Sequence, residues 1–320
     1  MKTLASLLYR NTLETIPLYL ALLRIIVPLA ITMQVLVEFG VIRSVSPVFA
    51  PIMQLYGLPP ELAVAWLTGM LIGLWPAVII VFTLVPVEAL TTADVTVLAA
   101  LLLCIHSLPI ENKILAKAGP NFWATSALRI IGGMIFAALL HLFFSSTGLL
   151  SGPVDPTWIP LSADAGWSAF ILGLLKTLAA MFFILLGLSW MMALLRHSGL
   201  LPRLEGALAP LFSLAGIGPQ AVPCSLIGLF LGTTYGGGMI LREAKAANIA
   251  PRQVFIACIF MGFAHGIIED TLLVVALGAD LTSVLVARLI FSAIASALIA
   301  LAVNRTSDAF FFTALFKRSP

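Results

Sequence analysis

The chain has 320 residues, of which 61% are hydrophobic and 10% charged, and its formal net charge is +3. Soluble domains carry roughly 25% charged residues, so this composition excludes an ordinary water-soluble domain and leaves a polytopic helical membrane protein. The small net charge excludes nothing alone, because in a membrane protein the side on which basic residues fall carries the information.

In chain order, residues 1–14 hold Lys2, Arg10 and Glu14 without a small-residue cleavage site, and read as a retained amphipathic lead-in. A first apolar span is expected over 16–39. The stretch 45–75 splits around Gly57-Leu58-Pro59-Pro60 into two runs of about a dozen residues. Each run is short of the ~20 residues a crossing needs, so the stretch is expected to form a re-entrant hairpin. Spans over 91–110 and 122–146 follow. The second half repeats the order: a span over 167–195, a punctuated stretch over 203–235 broken at Gly216-Ile217-Gly218-Pro219, and spans over 252–276 and 281–303. With 24 Gly and 19 Pro, many inside apolar stretches, a bundle of straight helices is excluded. Cys104, Cys224 and Cys258 lie in apolar segments without a CxxC pattern and read as buried thiols.

A constant shift of 159 residues lays the second half over the first without a gap from about Ala50 to Leu139. Pro51 meets Pro210, Gly73 meets Gly232, His106 meets His265, Gly119 meets Gly278 and Arg129 meets Arg288. Apolar matches arise by chance in so hydrophobic a chain, whereas a ladder of Pro, Gly, His and Arg does not. Equivalent loops carry opposite charge. Arg242, Lys245 and Arg252 follow the second hairpin while Glu88 and Asp94 follow the first; Lys113 and Lys117 precede one final span and Asp280 the other. Cytoplasmic loops are the basic ones, so the pattern implies inverted-topology repeats with both termini cytoplasmic. The expected division is an N-terminal repeat over 1–147, an external linker over 148–165, a C-terminal repeat over 166–305 and a cytoplasmic tail over 306–320.

An ionisable group within the hydrocarbon costs about 2.5–3.5 kcal/mol on insertion scales and therefore marks a site. The main constellation is doubled: His106, Glu111 and Asn112 in the first half, His265, Glu269 and Asp270 in the second. Pro109 and Gly266 interrupt the helices there, freeing backbone groups that can hold a solute. Such groups bind a divalent metal, relay protons or hydrogen-bond an organic molecule; the blander reading is that the histidines tie broken helices together. For a metal, His106, His265, Glu269 and Asp270 are the candidate ligands. Arg129 and Arg288 either balance these acids or reach the headgroups. Thr233 and Thr234, beside Gly236-Gly237-Gly238, and Glu61 and Gln220, next to the aligned prolines and placed at the hairpin tips, complete the candidate binding residues.

The strings GALAPLFSLAGIGPQAVPCSLIGLFLG, APRQVFIACIFMGFAHGIIED and LVARLIF resemble the nucleoside-recognition, or Gate, domain family. That family includes the spore maturation proteins A and B and the Gate segments of the bacterial ferrous-iron permease. The chain also looks distantly like the core of concentrative nucleoside transporters. The resemblance covers about 40–140 and again 199–299, two fused Gate units, and implies an inverted-repeat transport fold in a bacterial inner membrane. No G-x-x-x-x-G-K-[ST] loop is present, so the GTPase of that permease is not encoded here, and no HExxH marks a metalloprotease.

The expectation is a non-enzymatic transporter of a small polar solute, nucleoside-like or otherwise organic, coupled to protons or sodium. A divalent-metal carrier and a non-transport scaffold are the rivals. Its partners are the bilayer and the solute, with no nucleic acid polymer; a homo-oligomer stays open.

Overall fold

A computed structural model describes residues 4–155, 167–230, 232 and 249–317. Among these the chain is helical, and the only β pairing is two isolated bridges. Helix α1 (Leu4–Glu38) is followed by α2 (Val41–Gln54), α3 (Leu62–Leu71), α4 (Leu74–Leu84), α5 (Thr92–Ile105), α6 (Leu108–Ala116) and α7 (Phe122–Thr147). The second half holds α8 (Trp167–His197), α9 (Leu200–Leu214), α10 (Pro219–Phe230), α11 (Pro251–Ala264), α12 (Glu269–Ala276) and α13 (Thr282–Arg305). The first turn of α13, Thr282–Ala287, is a π-helix.

Among the described residues five stretches are long and apolar enough to cross a membrane, and two of them are broken: Thr92–Ala116 carries α5 and α6, and Pro251–Ala276 carries α11 and α12. In each broken span 72% of the apolar window is buried, against 39% in α7 and 33% in α13, so the broken spans form the centre and α7 and α13 flank them. Helices α7 and α13 expose Ile131, Ile135 and Leu139, and Ile290, Ile294 and Leu298, at every fourth position, along the open groove between them. This is the stripe a lipid-facing helix presents. The chain is an all-α, multi-pass membrane protein.

A helical hairpin lies elsewhere than the prolines suggest. Its arms are α3 and α4, and its tip is Gly73, at φ 152°. A Cβ on Gly69 would come within 3.2 Å of Ala77 Cβ. Eight residues along one helix would separate these positions by about 12 Å, so the chain doubles back between them. The Gly57–Pro60 break joins α2 to α3 instead. Glu61 therefore sits at the outer end of α3, about 15 Å of helix from the tip, and Gln220 stands likewise in the first turn of α10, away from Gly232. Neither occupies a hairpin tip, because the prolines mark helix starts, where a missing N–H costs nothing. Residue 232 is the counterpart of Gly73 and also has positive φ, 71°; Thr233, Thr234 and the glycines after them lie outside the described residues.

Contacts at the two ends of the bundle set the directions of the broken spans. At one end the start of α5 pairs with the segment after α7: Thr92 N–H donates to Gly152 O at 3.0 Å and Ala93 N–H to Leu150 O at 2.9 Å. Val154 there covers Gly278, and Asp280 N–H donates to Thr96 Oγ1 at 2.9 Å. At the other end Phe316 covers Gly119, Asn121 N–H donates to Leu315 O at 2.8 Å, and Arg252 at the start of α11 pairs with Asp308 at 2.8 Å. Thus α5 begins where α12 ends, α11 begins where α6 ends, and the two broken spans run antiparallel. Helices α1 and α8 cross antiparallel as well, with Trp167 Nε1 on Glu38 at one end and Trp190 Nε1 on Thr12 at the other.

Candidate functional site at the crossing of two broken helices

Helix α5 stops at His106 because the next residue leaves helical geometry: Ser107 has φ 49°. Helix α11 stops at His265, followed by Gly266 at φ 59°. A left-handed residue ends a helix by satisfying its last carbonyls, and Pro109, without an N–H, opens α6. The first break is pinned to the hairpin by Ser107 N–H donating to Gly69 O at 2.9 Å, the second by Ile267 N–H donating to Leu229 O at 2.8 Å. Helices α3 and α10 thus each reach the interruption in their own half.

The two histidines meet. His106 Nε2 lies 3.2 Å from His265 Nε2, with both rings buried. His106 Nδ1 lies 2.9 Å from Leu102 O and His265 Nδ1 lies 2.9 Å from Met261 O. A carbonyl only accepts, so both Nδ1 atoms carry hydrogen and a neutral ring must present a bare lone pair at Nε2. Around these nitrogens stand two carboxylates: Glu111 Oε2 at 3.0 Å from His265 Nε2, and Asp270 Oδ2 at 3.5 Å from His106 Nε2.

Two buried arginines brace this centre. Arg129 donates from Nε to Cys104 O at 3.0 Å, from Nη2 to His106 O at 3.1 Å, and from Nη1 to Glu111 at 3.0 Å and Asn112 Oδ1 at 3.1 Å. Arg288 donates from Nε to Phe263 O at 2.7 Å and from Nη2 to His265 O at 3.0 Å and Leu103 O at 3.1 Å. The guanidiniums take up carbonyls that the helix breaks leave free, which is why cations stand at this depth. Arg129 is the counter-ion of Glu111 and does not reach the headgroups. Arg288 meets mainly backbone, and among the described residues its Nη1 and the buried Thr271 Oγ1 have no hydrogen-bond partner.

Of the residues singled out in the sequence, His106, Glu111, His265, Asp270, Arg129 and Arg288 come together. Asn112 is fully buried and fixed between Arg129 and Ser126, to whose Oγ its Nδ2 donates at 2.8 Å, so it positions its neighbours. Glu269 opens α12 and is half-buried. Glu61 and Gln220 stand at the outer ends of their helices. The sequence reading missed the carbonyls of Leu102, Met261, Cys104, Phe263 and His265, since backbone acceptors leave no residue-type signal. Cys104, Cys224 and Cys258 are buried thiols. An apolar groove of about 620 Å³ between α7 and α13, lined by Ile131, Phe136, Ile290 and their neighbours, offers no side chain suited to a polar solute.

Fold and site define a multi-pass α-helical membrane protein with a buried His–carboxylate–Arg centre. The chain is 26% identical over 273 residues, 83% of its length and 85% of the relative's, to YvoD of Bacillus subtilis (strain 168), described as an uncharacterized membrane protein. No family model matches the chain, and no solved structure does.

Proposed function

We propose that the protein is a secondary transporter of a small polar solute, built from two inverted-topology repeats offset by 159 residues, with its site where the repeats cross. The observation that carries this reading is the pair of helix breaks at His106-Ser107 and His265-Gly266, brought face to face between antiparallel spans. Discontinuous helices meeting at mid-depth with ionisable groups are the architecture of alternating-access carriers. The repeat reading is supported by bonds between residues 159 apart: His106 to His265, and Tyr19 Oη to Leu178 O at 3.0 Å. Arg288 Nη1 and Thr271 Oγ1 are buried donors available to an acceptor atom of the solute, such as a carbonyl or hydroxyl oxygen.

The basic residues Lys113, Lys117, Arg252, Arg305 and Lys317 gather at the end of the bundle that holds the C-terminal segment. Asp94, Asp155 and Asp280 gather at the other. With basic loops inside, both termini are cytoplasmic and the membrane is a bacterial inner membrane, which also fits the resemblance to Gate domains.

A carrier must open its centre to each side in turn, so Ser107→Cys in a chain whose three native cysteines are replaced is the test. A membrane-impermeant maleimide should label it from the outside in intact cells and from the inside in inverted vesicles. Uptake of labelled nucleosides into proteoliposomes, lost in His106→Ala, would then identify the solute class. Labelling from one side only, or from neither, overturns transport in favour of a scaffold.

A further inference from the structure

We infer that the crossing binds one divalent transition-metal ion through His106 Nε2, His265 Nε2 and Asp270, leaving a further position that Glu111 or a solute atom can take. The assignment goes beyond solute carriage and stands independently of it. Two nitrogen lone pairs facing each other at 3.2 Å repel unless a metal ion or a proton lies between them. With metal–nitrogen bonds of ~2.05 Å, that separation gives an N–metal–N angle of roughly 100°, close to tetrahedral. The three ligand atoms all lie within 4.8 Å of one another, and the 3.5 Å from His106 to Asp270 is about the edge of the same tetrahedron.

The surroundings suit an ion. Each histidine gives its other N–H to a backbone carbonyl, which fixes the tautomer and raises the basicity of the ligating nitrogen. The two carboxylates of the centre, Glu111 and Asp270, formally balance its two guanidiniums, Arg129 and Arg288, so no net positive charge stands there to exclude a cation. Two imidazoles with a carboxylate select zinc, cobalt, iron(II) or manganese over magnesium and calcium, which prefer all-oxygen shells. Glu111 is held by Arg129 at 3.0 Å, which makes it the weaker ligand and Asp270 the stronger one.

Full-length protein, purified in detergent and stripped with chelator, would be titrated with cobalt(II) while visible absorption and bound metal are read. The expected result is one cobalt per chain with tetrahedral d–d bands. The bands should be displaced by zinc, persist in excess magnesium, and disappear in His106→Ala and in His265→Ala. Asp270→Asn, which keeps side-chain shape, should weaken binding by more than the roughly 10–100-fold typical of losing an outer partner, and shift the bands. If either alanine variant fails to elute as folded protein, the Asp270→Asn spectrum decides. No bands in the wild type, or bands unchanged by these substitutions, would overturn the assignment. The spectrum requires no transport, so its failure leaves two-sided labelling at position 107 untouched, and the reverse holds equally.

Discussion

Glu111 and Arg129 form a buried ion pair at 3.0 Å, and the corresponding residues of the second half, Asp270 and Arg288, do not. The difference follows from side-chain length. Glutamate reaches one methylene further than aspartate, and the Asn112 amide oxygen accepts from Arg129 where the shorter Thr271 hydroxyl makes no bond to Arg288. Asp270 is left turned towards His106, and Arg288 Nη1 is left without a hydrogen-bond partner among the described residues. The centre is thus pseudo-symmetric in its histidines and arginines and asymmetric in its acids.

That asymmetry predicts unequal coupling. Removing Arg129 leaves a buried carboxylate uncompensated, which costs about 3–5 kcal/mol. In a double-mutant cycle with Arg129→Met and Glu111→Gln, the second substitution should recover about 2–3 kcal/mol of the first loss. The cycle with Arg288→Met and Asp270→Asn should show coupling below about 0.5 kcal/mol. Unfolding in denaturant, followed by tryptophan fluorescence in detergent, measures both; equal coupling in the two cycles would refute the difference.

Much of this centre could be picked out in the sequence because Pro, Gly, His and Arg are rare enough in an apolar chain to align at a fixed shift. The hairpin was misplaced for the same reason. Pro59 and Pro60 are conspicuous, whereas Gly73 is one glycine among 24 and its extreme φ exists only in the folded chain. Helix α4 was missed because residues 74–82 are apolar throughout, and a helix buried on every side has no period to read. The arginine contacts were undecidable because their main acceptors are carbonyls.

The left-handed residues at the breaks make a second prediction. Ser107 adopts φ 49° where its counterpart is Gly266, and a side chain in that region costs roughly 1–2 kcal/mol. Ser107→Gly should therefore be neutral or stabilise by up to about 1 kcal/mol, while Ser107→Val, β-branched at positive φ, should destabilise by more than about 1 kcal/mol. At Gly266 an added Cβ would fall 2.0 Å from Asp270 Oδ2. Gly266→Ala should accordingly expel that carboxylate and weaken cobalt binding, a readout that backbone strain alone does not move.

Glycines at the helix crossings make a third. A Cβ on Gly133 would lie 2.7 Å from Ile105 Cγ1 and 2.8 Å from Cys104 Cβ, both held next to the break in the central span. Gly133→Ala is expected to cost about 1–3 kcal/mol, the usual range for overpacking. At Gly228 the nearest atom is Met261 Sδ at 2.2 Å, the far portion of a flexible thioether that can turn aside. Gly228→Ala should cost less than about 1 kcal/mol, and the order of the two melting temperatures checks the argument.

The C-terminal segment supplies the last prediction, because it fastens one end of the bundle. Phe311 is fully buried, stacks on Phe316 with ring centroids 5.6 Å apart, meets Phe255 edge-on at 6.0 Å, and lies under the Arg252 guanidinium at 4.7 Å. Its neighbour Phe310 is 54% exposed. Phe311→Ala should cost about 3–5 kcal/mol, the range for deleting a buried phenyl ring, and Phe310→Ala less than about 0.5 kcal/mol. The effect should also be local. Phe316 covers Gly119 and Lys317 N–H donates to Gly119 O at 2.7 Å, so loosening the segment exposes the connection between α6 and α7. Hydrogen exchange should then accelerate at residues 117–121 in Phe311→Ala while residues 150–154, at the opposite end, keep the wild-type rate. Equal acceleration at both ends would mean that the substitution unfolds the whole bundle, and the segment would not be a local clasp.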